Sequence, residues 1–397
     1  MNSKQRGDRR EPLFHCEADA REVMREHCMH GVDVPMTAKQ VDLVVSRLRP
    51  QFWLSQNKDA GNGGPGATRF GGAPDLPKGM AWPIRPASTN IEKITQQWKD
   101  SHGWIIQQLQ HALPFEFFGQ IDLAEAARSW THVAGLPTSG RLLFFWDGAL
   151  GYLEKGTHTC HVIFDETPVA ELARMDLPAQ FAEMEAWWRE PDPKQIEHFK
   201  TMARTLDAAG QTEAAKAMRE AARKSEMPDP KSTKPFVYPA RAMRLVPLWV
   251  LPKQNAVELT LDKELTAFAD GDDTREHYSL LTSNDIGPFT SDRSNMRRSQ
   301  DWLTLQSRES RFMGPPGPEQ DDPRFDALDQ SQLPPFPLNS AQIAESARKA
   351  TEWQLLPQVS IADLSLLQTE GTVYFMIRKD DLAKRDFSRV FASYQQT

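Results

Sequence analysis

The feature that most constrains this chain is a pattern that occurs twice, in the same order. Gln120-Ile121-Asp122-Leu123-Ala124-Glu125 aligns with Gln358-Val359-Ser360-Ile361-Ala362-Asp363, every position identical or chemically matched. Downstream, Gly140-Arg141-Leu142-Leu143-Phe144 is mirrored by Gly371-Thr372-Val373-Tyr374-Phe375. Upstream, Gly72-Ala73-Pro74 is mirrored by Gly314-Pro315-Pro316. Each copy therefore reads as a Gly-Pro loop, a strand ending in Gln, a helix turn opened by a capping Asp or Ser, and a Gly-led strand. Chance likeness between short strand-like segments is the bland alternative, and it does not explain why the matches keep their order. One copy alone would leave a sheet face bare, whereas two can bury those faces against each other about a pseudo-twofold axis. The expected fold is α+β: an internally duplicated strand-helix-strand scaffold with mixed sheets and an inserted helical hairpin.

The remaining segments divide around that scaffold. Residues 1–36 are charged and irregular and read as an N-terminal arm, helical or partly disordered. Thr37-Ala38-Lys39-Gln40 reads as a capping box, which predicts a helix from about Ala38 to Leu48 with Val41, Val44, Val45 and Leu48 on one face. Phe52-Trp53-Leu54 predicts a short strand, and Gly61 to Gly72 a loop. The first half of the scaffold spans 37–165, with Thr157 to Phe164 as the hairpin partner of the Gly140 strand. A helical insert occupies 166–235, its helices at 178–228 split by Gly210, with Ala203, Leu206, Ala214, Ala217, Met218 and Ala221 as the apposed face. The second half spans 236–397, with Val246 to Leu251 and Val257 to Leu261 as strands and long loops over 284–339.

Composition narrows the function classes. The 397 residues are 39% hydrophobic and 25% charged, with a net charge of −7, which suits two or three domain-sized units and gives no global attraction to nucleic acid or anionic membrane. Cysteine occurs only at Cys16, Cys28 and Cys160, too few and odd in number for a disulfide framework, so a reducing compartment is expected. The start, Met1 to Pro12, lacks the apolar run of a signal peptide, and no apolar stretch approaches the ~20 residues that span a bilayer. The cytoplasm is the expected location.

The ordered run Phe70-Gly71-Gly72-Ala73-Pro74-Asp75-Leu76-Pro77, Trp82-Pro83, Phe118-Gly119-Gln120-Ile121-Asp122-Leu123, Leu136-Pro137 and Gly140 to Phe145 resembles the bacterial YwqG-like family of domains of unknown function. Later segments match it as well: Phe312-Met313-Gly314-Pro315 with Gln320-Asp321-Asp322-Pro323, then Leu355 to Gln358, Gly371 to Arg378 and Asp381 to Phe387. The resemblance covers about 40–165 and 236–397, and departs in the N-terminal arm and the helical insert. It implies an α+β fold with an internal repeat in a bacterial cytoplasmic protein, and it carries no catalytic residue. Some members are encoded beside secreted polymorphic toxins, which implies a toxin-neutralising role.

Catalytic motifs find little support. Gly61-Asn62-Gly63-Gly64-Pro65-Gly66 satisfies GxGxxG literally, yet no apolar strand precedes it and no helix follows, so it cannot present amides to a pyrophosphate. No P-loop, HExxH or GxSxG occurs. His15 adjoins Cys16, His27 and His30 flank Cys28, and His158 and His161 flank Cys160, which are zinc-type donors without zinc-type spacing. On a strand, His158 and Cys160 would share a face and His161 would oppose them. Ordinary surface histidines and core cysteines are the preferred reading, so neither a metal nor any other cofactor is expected.

Gln120 and Gln358 are polar residues in otherwise apolar strands, and if buried their amides need partners. Either each pins its own Gly-Pro loop, the reading preferred here, or both line a cleft between the halves. Gly72, Asp75, Trp82 and Gln320 accompany them as candidate binding residues on the two loops. Trp187 and Trp188, ~100° apart on a helix, can hardly both face one stripe, so one is expected to pack and the other to await a partner; the alternative is that both tuck into the sheet through a bend at Pro191 or Pro193. Arg293, Arg297, Arg298, Arg308 and Arg311 read as a solvated basic run balanced by Asp321 and Asp322, or as a site for an acidic partner. The favoured function is a non-enzymatic module whose partner is another protein; the alternative is a small-molecule-binding protein or hydrolase using the cleft between repeats.

Overall fold

The computed structural model describes residues 14, 16–30, 32–97, 103–129, 135–227, 236–282, 310–328, 337–365 and 371–396. Its strands are β1 (Arg49–Gln56), β2 (Arg69–Phe70), β3 (Asp75–Pro77), β4 (Ile84–Arg85), β5 (Leu113–Pro114), β6 (Glu116–Asp122), β7 (Arg141–Trp146), β8 (Cys160–Asp165), β9 (Leu172–Arg174), β10 (Arg241–Val250), β11 (Arg311–Phe312), β12 (Trp353–Ser360), β13 (Thr372–Arg378) and β14 (Phe391–Gln395). Ten of them form one sheet, ordered β14-β13-β12-β11-β1-β10-β2-β6-β7-β8. Every strand pairing among the described residues is antiparallel, so the mixed sheets expected from sequence are corrected. In both series, β6, β7 and β8 and likewise β12, β13 and β14, strands consecutive in the chain are neighbours in the sheet, each returning antiparallel to the one before it.

The sheet curls nearly into a barrel. Gly156, just before β8, makes an antiparallel bridge to Ala392 in β14, and Cys160 Sγ donates to Val390 O at 3.3 Å. Inside, Phe52, Phe118, Leu142, Phe144, Leu356 and Phe375 belong to one buried cluster. The Phe144 and Phe375 rings meet edge-on at 5.4 Å, tying β7 to β13 across the interior; such aromatic pairs add ~1 kcal/mol beyond the area they bury. Outside, Phe117, Leu143 and Phe145 pack under Trp82 and Phe181, while Leu355, Tyr374 and Met376 pack with Ala327, Trp353 and Phe391.

β1 and β10 form the centre: the whole of β1 pairs with β10, from Arg49↔Val250 to Gln56↔Met243, and Arg241 and Ala242 of β10 pair with β2. The short strand expected at Phe52 is thus an eight-residue element. Its ladder partner lies nearly two hundred positions away, beyond the reach of any local pattern. The capping box forms as the sequence requires: Gln40 N donates to Thr37 Oγ1 at 3.3 Å and Thr37 N to Gln40 Oε1 at 2.7 Å, opening helix Ala38–Arg47. That helix, the arm helix Glu17–His27 and the helices Lys263–Asp270 and Arg275–Thr282 share a second core containing Met24, Val44, Phe268 and Tyr278.

Two further expectations are corrected. Val257–Leu261 is a helix and not a strand. Asp322 accepts the amide of Val257 at 3.0 Å, which anchors the first turn, and Val257 packs against helix Ser340–Ala350. Thr157–Thr159 is a 3-10 turn, so β8 begins only at Cys160. In the insert, helices Gln180–Arg189, Pro193–Ala208 and Thr212–Glu226 form, with Gly210 at φ +75° in the turn. Ala215 and Ala222 are buried opposite Ala203, so the second helix turns a face one residue offset from the expected Ala214, Ala217 and Ala221.

Candidate functional site

The Gly-Pro loops are held by two polar hubs on the outer face of the sheet. β2 pairs with β6 in the register Arg69↔Gln120 and Phe70↔Gly119; β11 pairs with β12 in the register Arg311↔Gln358 and Phe312↔Pro357. Phe118 and Ile121 point into the barrel, so alternation turns Gln120 outward, beside Leu143. Leu356 and Val359 do the same for Gln358, beside Tyr374.

In the first hub, Gln120 Oε1 accepts from Asp75 N at 3.1 Å and lies 3.5 Å from Arg69 Nη2. Gln120 Nε2 donates to Ala67 O at 3.0 Å and to Asp75 Oδ2 at 2.9 Å. All four bonding positions of this carboxamide are engaged. Asp75 is fully buried; its carboxylate also accepts Gly66 N at 3.0 Å and Arg174 Nε at 3.0 Å, and lies 3.4 Å from Arg69 Nε. Burial pushes the Asp75 pKa up, but the Arg174 hydrogen bond, the Arg69 charge and the Gly66 amide hold it below the usual carboxylate value. Arg69, equally buried, donates to the carbonyls of Gly71 and Ala73. Burial lowers its pKa to about 10, against the opposing pull of Asp75. Gly72, at φ +72°, leaves no room for a Cβ, which would meet Ala240 Cβ at 2.9 Å.

The second hub repeats the main bond: Gly317 N donates to Gln358 Oε1 at 2.7 Å. Arg311 Nη1 reaches Gln51 Oε1 at 3.3 Å, and Gln51 Nε2 donates to the carbonyls of Met313 and Pro315 at 3.1 and 2.8 Å. A hydroxyl–carboxylate pair supports each hub from behind. Thr68 Oγ1 donates to Glu125 Oε2 at 2.5 Å, and Ser310 Oγ to Asp363 Oδ2 at 2.8 Å. Both hydroxyls accept the amide at the end of the neighbouring strand, Asp122 N and Ser360 N, each at 3.1 Å.

The other candidates lie apart. Trp82 is buried beneath its loop, donates Nε1–H to Phe115 O at 2.9 Å and meets Phe117, Phe145 and Phe181 edge-on. Gln320 sits by the C-terminal strand: Gln395 Oε1 accepts its amide at 3.2 Å, and its Nε2 donates to Gln396 O at 2.5 Å. Trp187 and Trp188 are both partly buried against the same cluster, which corrects the expectation that one of them stands free. Helix Gln180–Arg189 ends at Glu190, and its last turn lies along the scaffold, where Trp187 stacks on His111 at 4.9 Å.

Of the basic run, Arg293, Arg297, Arg298 and Arg308 lie outside the described residues, as does His15. Arg311 is buried with its guanidinium over the Trp53 ring, so it does not belong to a solvated face. Asp322 is likewise buried, paired with Arg324 at 2.6 Å. Cys160 is buried in the barrel, and His158 lies outside β8, bonded to Glu154 at 2.9 Å, so these two do not share a strand face. Burial raises the Cys160 thiol pKa and lifts that of Cys28 to about 11. Among the described residues, no three His, Cys, Asp or Glu side chains group to hold a metal.

Arg69, Arg174, Gln51 and the Thr68–Glu125 pair escaped the sequence reading. The signal for the last was available, since Glu125 and Asp363 occupy matched positions. No helix among the described residues is long and apolar enough to cross a membrane. No curated protein matches the chain. A family model does match residues 68–395, most of its length and both Gln120 and Gln358, so the chain belongs to DUF1963, a family of domains of unknown function.

Proposed function

We propose that this chain is a non-enzymatic, cytoplasmic protein-binding module of the bacterial YwqG-like kind. In this reading its scaffold arose by internal duplication, and its role is immunity-like, neutralising a toxin. Support for the duplication comes from the two hubs: equivalent strand registers, a loop amide on each Gln, and a hydroxyl–carboxylate brace behind each. Against a hydrolase in a cleft between the halves stands the placement of Gln120 and Gln358, each on the outer face under its own loop.

The observation that carries the binding reading is the helical hairpin of the insert. Pro193–Ala208 and Thr212–Glu226 pack chiefly on each other, and their buried side chains are alanines, Ala203, Ala215 and Ala222. Lys200–Glu226 at 2.6 Å and Arg219–Asp207 tie the two helices externally. A hairpin that contributes so little to the scaffold core is free to serve as a contact surface. Replacing 193–226 by a short Gly/Ser linker tests this with two readouts, thermal melting and cross-linking to a purified candidate toxin. The expected result is a folded chain that no longer captures its partner. A chain that cannot fold without the hairpin, or one that binds unchanged, overturns the assignment.

A further inference from the structure

A cavity of about 430 Å³ opens where helix Ala38–Arg47 meets the start of β1 and the corner between helices Val257–Leu261 and Lys263–Asp270. This volume falls within the range of small-molecule sites. No hub or hairpin residue lines it; its walls come from residues 47–49 and 252–265, closed by Thr351.

The charges lining it are unequally committed. Asp262 accepts the amides of Glu264 and Leu265, both at 3.1 Å, and also binds Arg47. Both oxygens of Glu258 are taken by Arg324, at 2.8 and 2.6 Å. Glu264 is largely in solvent, 3.5 Å from Arg47. Two cations remain. Lys263 is exposed and makes no ion pair among the described residues. Arg49 uses one nitrogen, Nη1, on the carbonyls of Leu48 at 2.9 Å and Ser46 at 3.4 Å; it makes no ion pair within 4.0 Å among the described residues, and its charge acts at longer range on Glu258.

That anchoring leaves the Nε–Nη2 edge of Arg49 uncommitted. This edge is a planar pair of donors, the geometry that suits a carboxylate or phosphate bidentately. Leu261, Pro252 and Leu265 supply apolar wall beside it. We propose that this cavity binds a small oxyanion, its carboxylate or phosphate group held by the free edge of Arg49 and by Lys263, its body against Leu261 and Pro252. The inference does not depend on the protein-binding reading, since the hairpin takes no part in it.

The test is calorimetric titration of the full-length chain with succinate and, separately, with inorganic phosphate, chloride holding the ionic strength constant. Saturable one-to-one binding of either probe is expected, and the probe that saturates tells which oxyanion the site prefers. Arg49→Ala should weaken binding about tenfold or more. Arg49→Lys, which keeps the charge but loses the fork, should weaken it severalfold, as should Lys263→Ala. Because Lys263 is exposed and carries no packing, its variant reports on binding even if the Arg49 variants fold poorly. Absence of saturation by both probes, or unchanged affinity in Lys263→Ala and Arg49→Lys, overturns the proposal.

Discussion

Gln120 and Gln358 place their carboxamide oxygens on the backbone amides of Asp75 and Gly317, at 3.1 and 2.7 Å, each the same number of residues beyond the arginine that its strand pairs with. A Gly-Pro loop makes few ladder bonds of its own, so one side-chain amide on the sheet decides its path. Removing that amide leaves loop amides and carbonyls buried without partners, at ~1–3 kcal/mol for each substitution. Gln120→Ala and Gln358→Ala should therefore each lower the urea midpoint. An unchanged midpoint with loss of ligand or partner binding would instead make the glutamines recognition groups.

Asp75 links stability to acid. Its native pKa is held below the unfolded value of about 3.9 by Arg174, Arg69 and the Gly66 amide despite its burial. The unfolded chain therefore binds the proton first, so the contribution is fully present above pH ~4 and is lost as pH falls through the lower native pKa. Asp75→Asn should flatten that part of the acid limb. It should also destabilise the neutral protein by ~3–5 kcal/mol, because Arg69 stays buried with its carboxylate gone. Denaturant titrations at several pH values between 2 and 7 check both, and a variant with the parent's acid slope contradicts the assignment.

Gly71 and Gly61 separate backbone strain from close approach. Both have positive φ, +62° and +53°, but a Cβ at Gly71 would lie 2.4 Å from Pro239 O, while one at Gly61 would meet nothing within 4 Å. Gly61→Ala should cost ~1–3 kcal/mol, from a conformation at φ +53°, ψ −116° that glycine alone adopts readily, with no steric contact added. Gly71→Ala should cost clearly more, since backbone must move. Thermal melts of the two variants side by side decide this, and equal losses would show that the loop yields.

A chain cut to residues 68–395, the span of the family match, should fail to fold cooperatively. It lacks β1, which pairs with β10 from Met243 to Val250 and joins β10 to β11. It also lacks Val44 and Leu48, which fill the helical core. Circular dichroism melting of the two lengths is the measurement. A cooperative transition in the shorter chain would mean that β10 and β11 close the sheet without it.

What could be read without coordinates was what depends on near neighbours. The Thr37–Gln40 capping box, the strands around Gln120 and Leu143, the split of the insert at Gly210 and the need of Gln120 for partners follow from contacts within a few residues or from one polar group in an apolar run. The offset face of Thr212–Glu226 lay at the limit of this reasoning, because alanines on both candidate faces fit the period equally well.

Everything that required a distant partner was decided by tertiary structure. Val257–Leu261 has strand composition, yet it is helical because Asp322 caps its first amide and helix Ser340–Ala350 covers Val257. β1 looked short because Arg49 and Gln56 show no alternation, and only β10 makes them strand. Arg174 meets Asp75 across a two-stranded pairing of β3 with β9, and Arg49 and Lys263 come to one cavity from opposite ends of a long chain separation. The sequence by itself determined the local units and the polar groups that had to be satisfied. Which groups satisfy them was settled only when the sheet closed, because burial and ion pairing depend on distances that no spacing along the chain encodes.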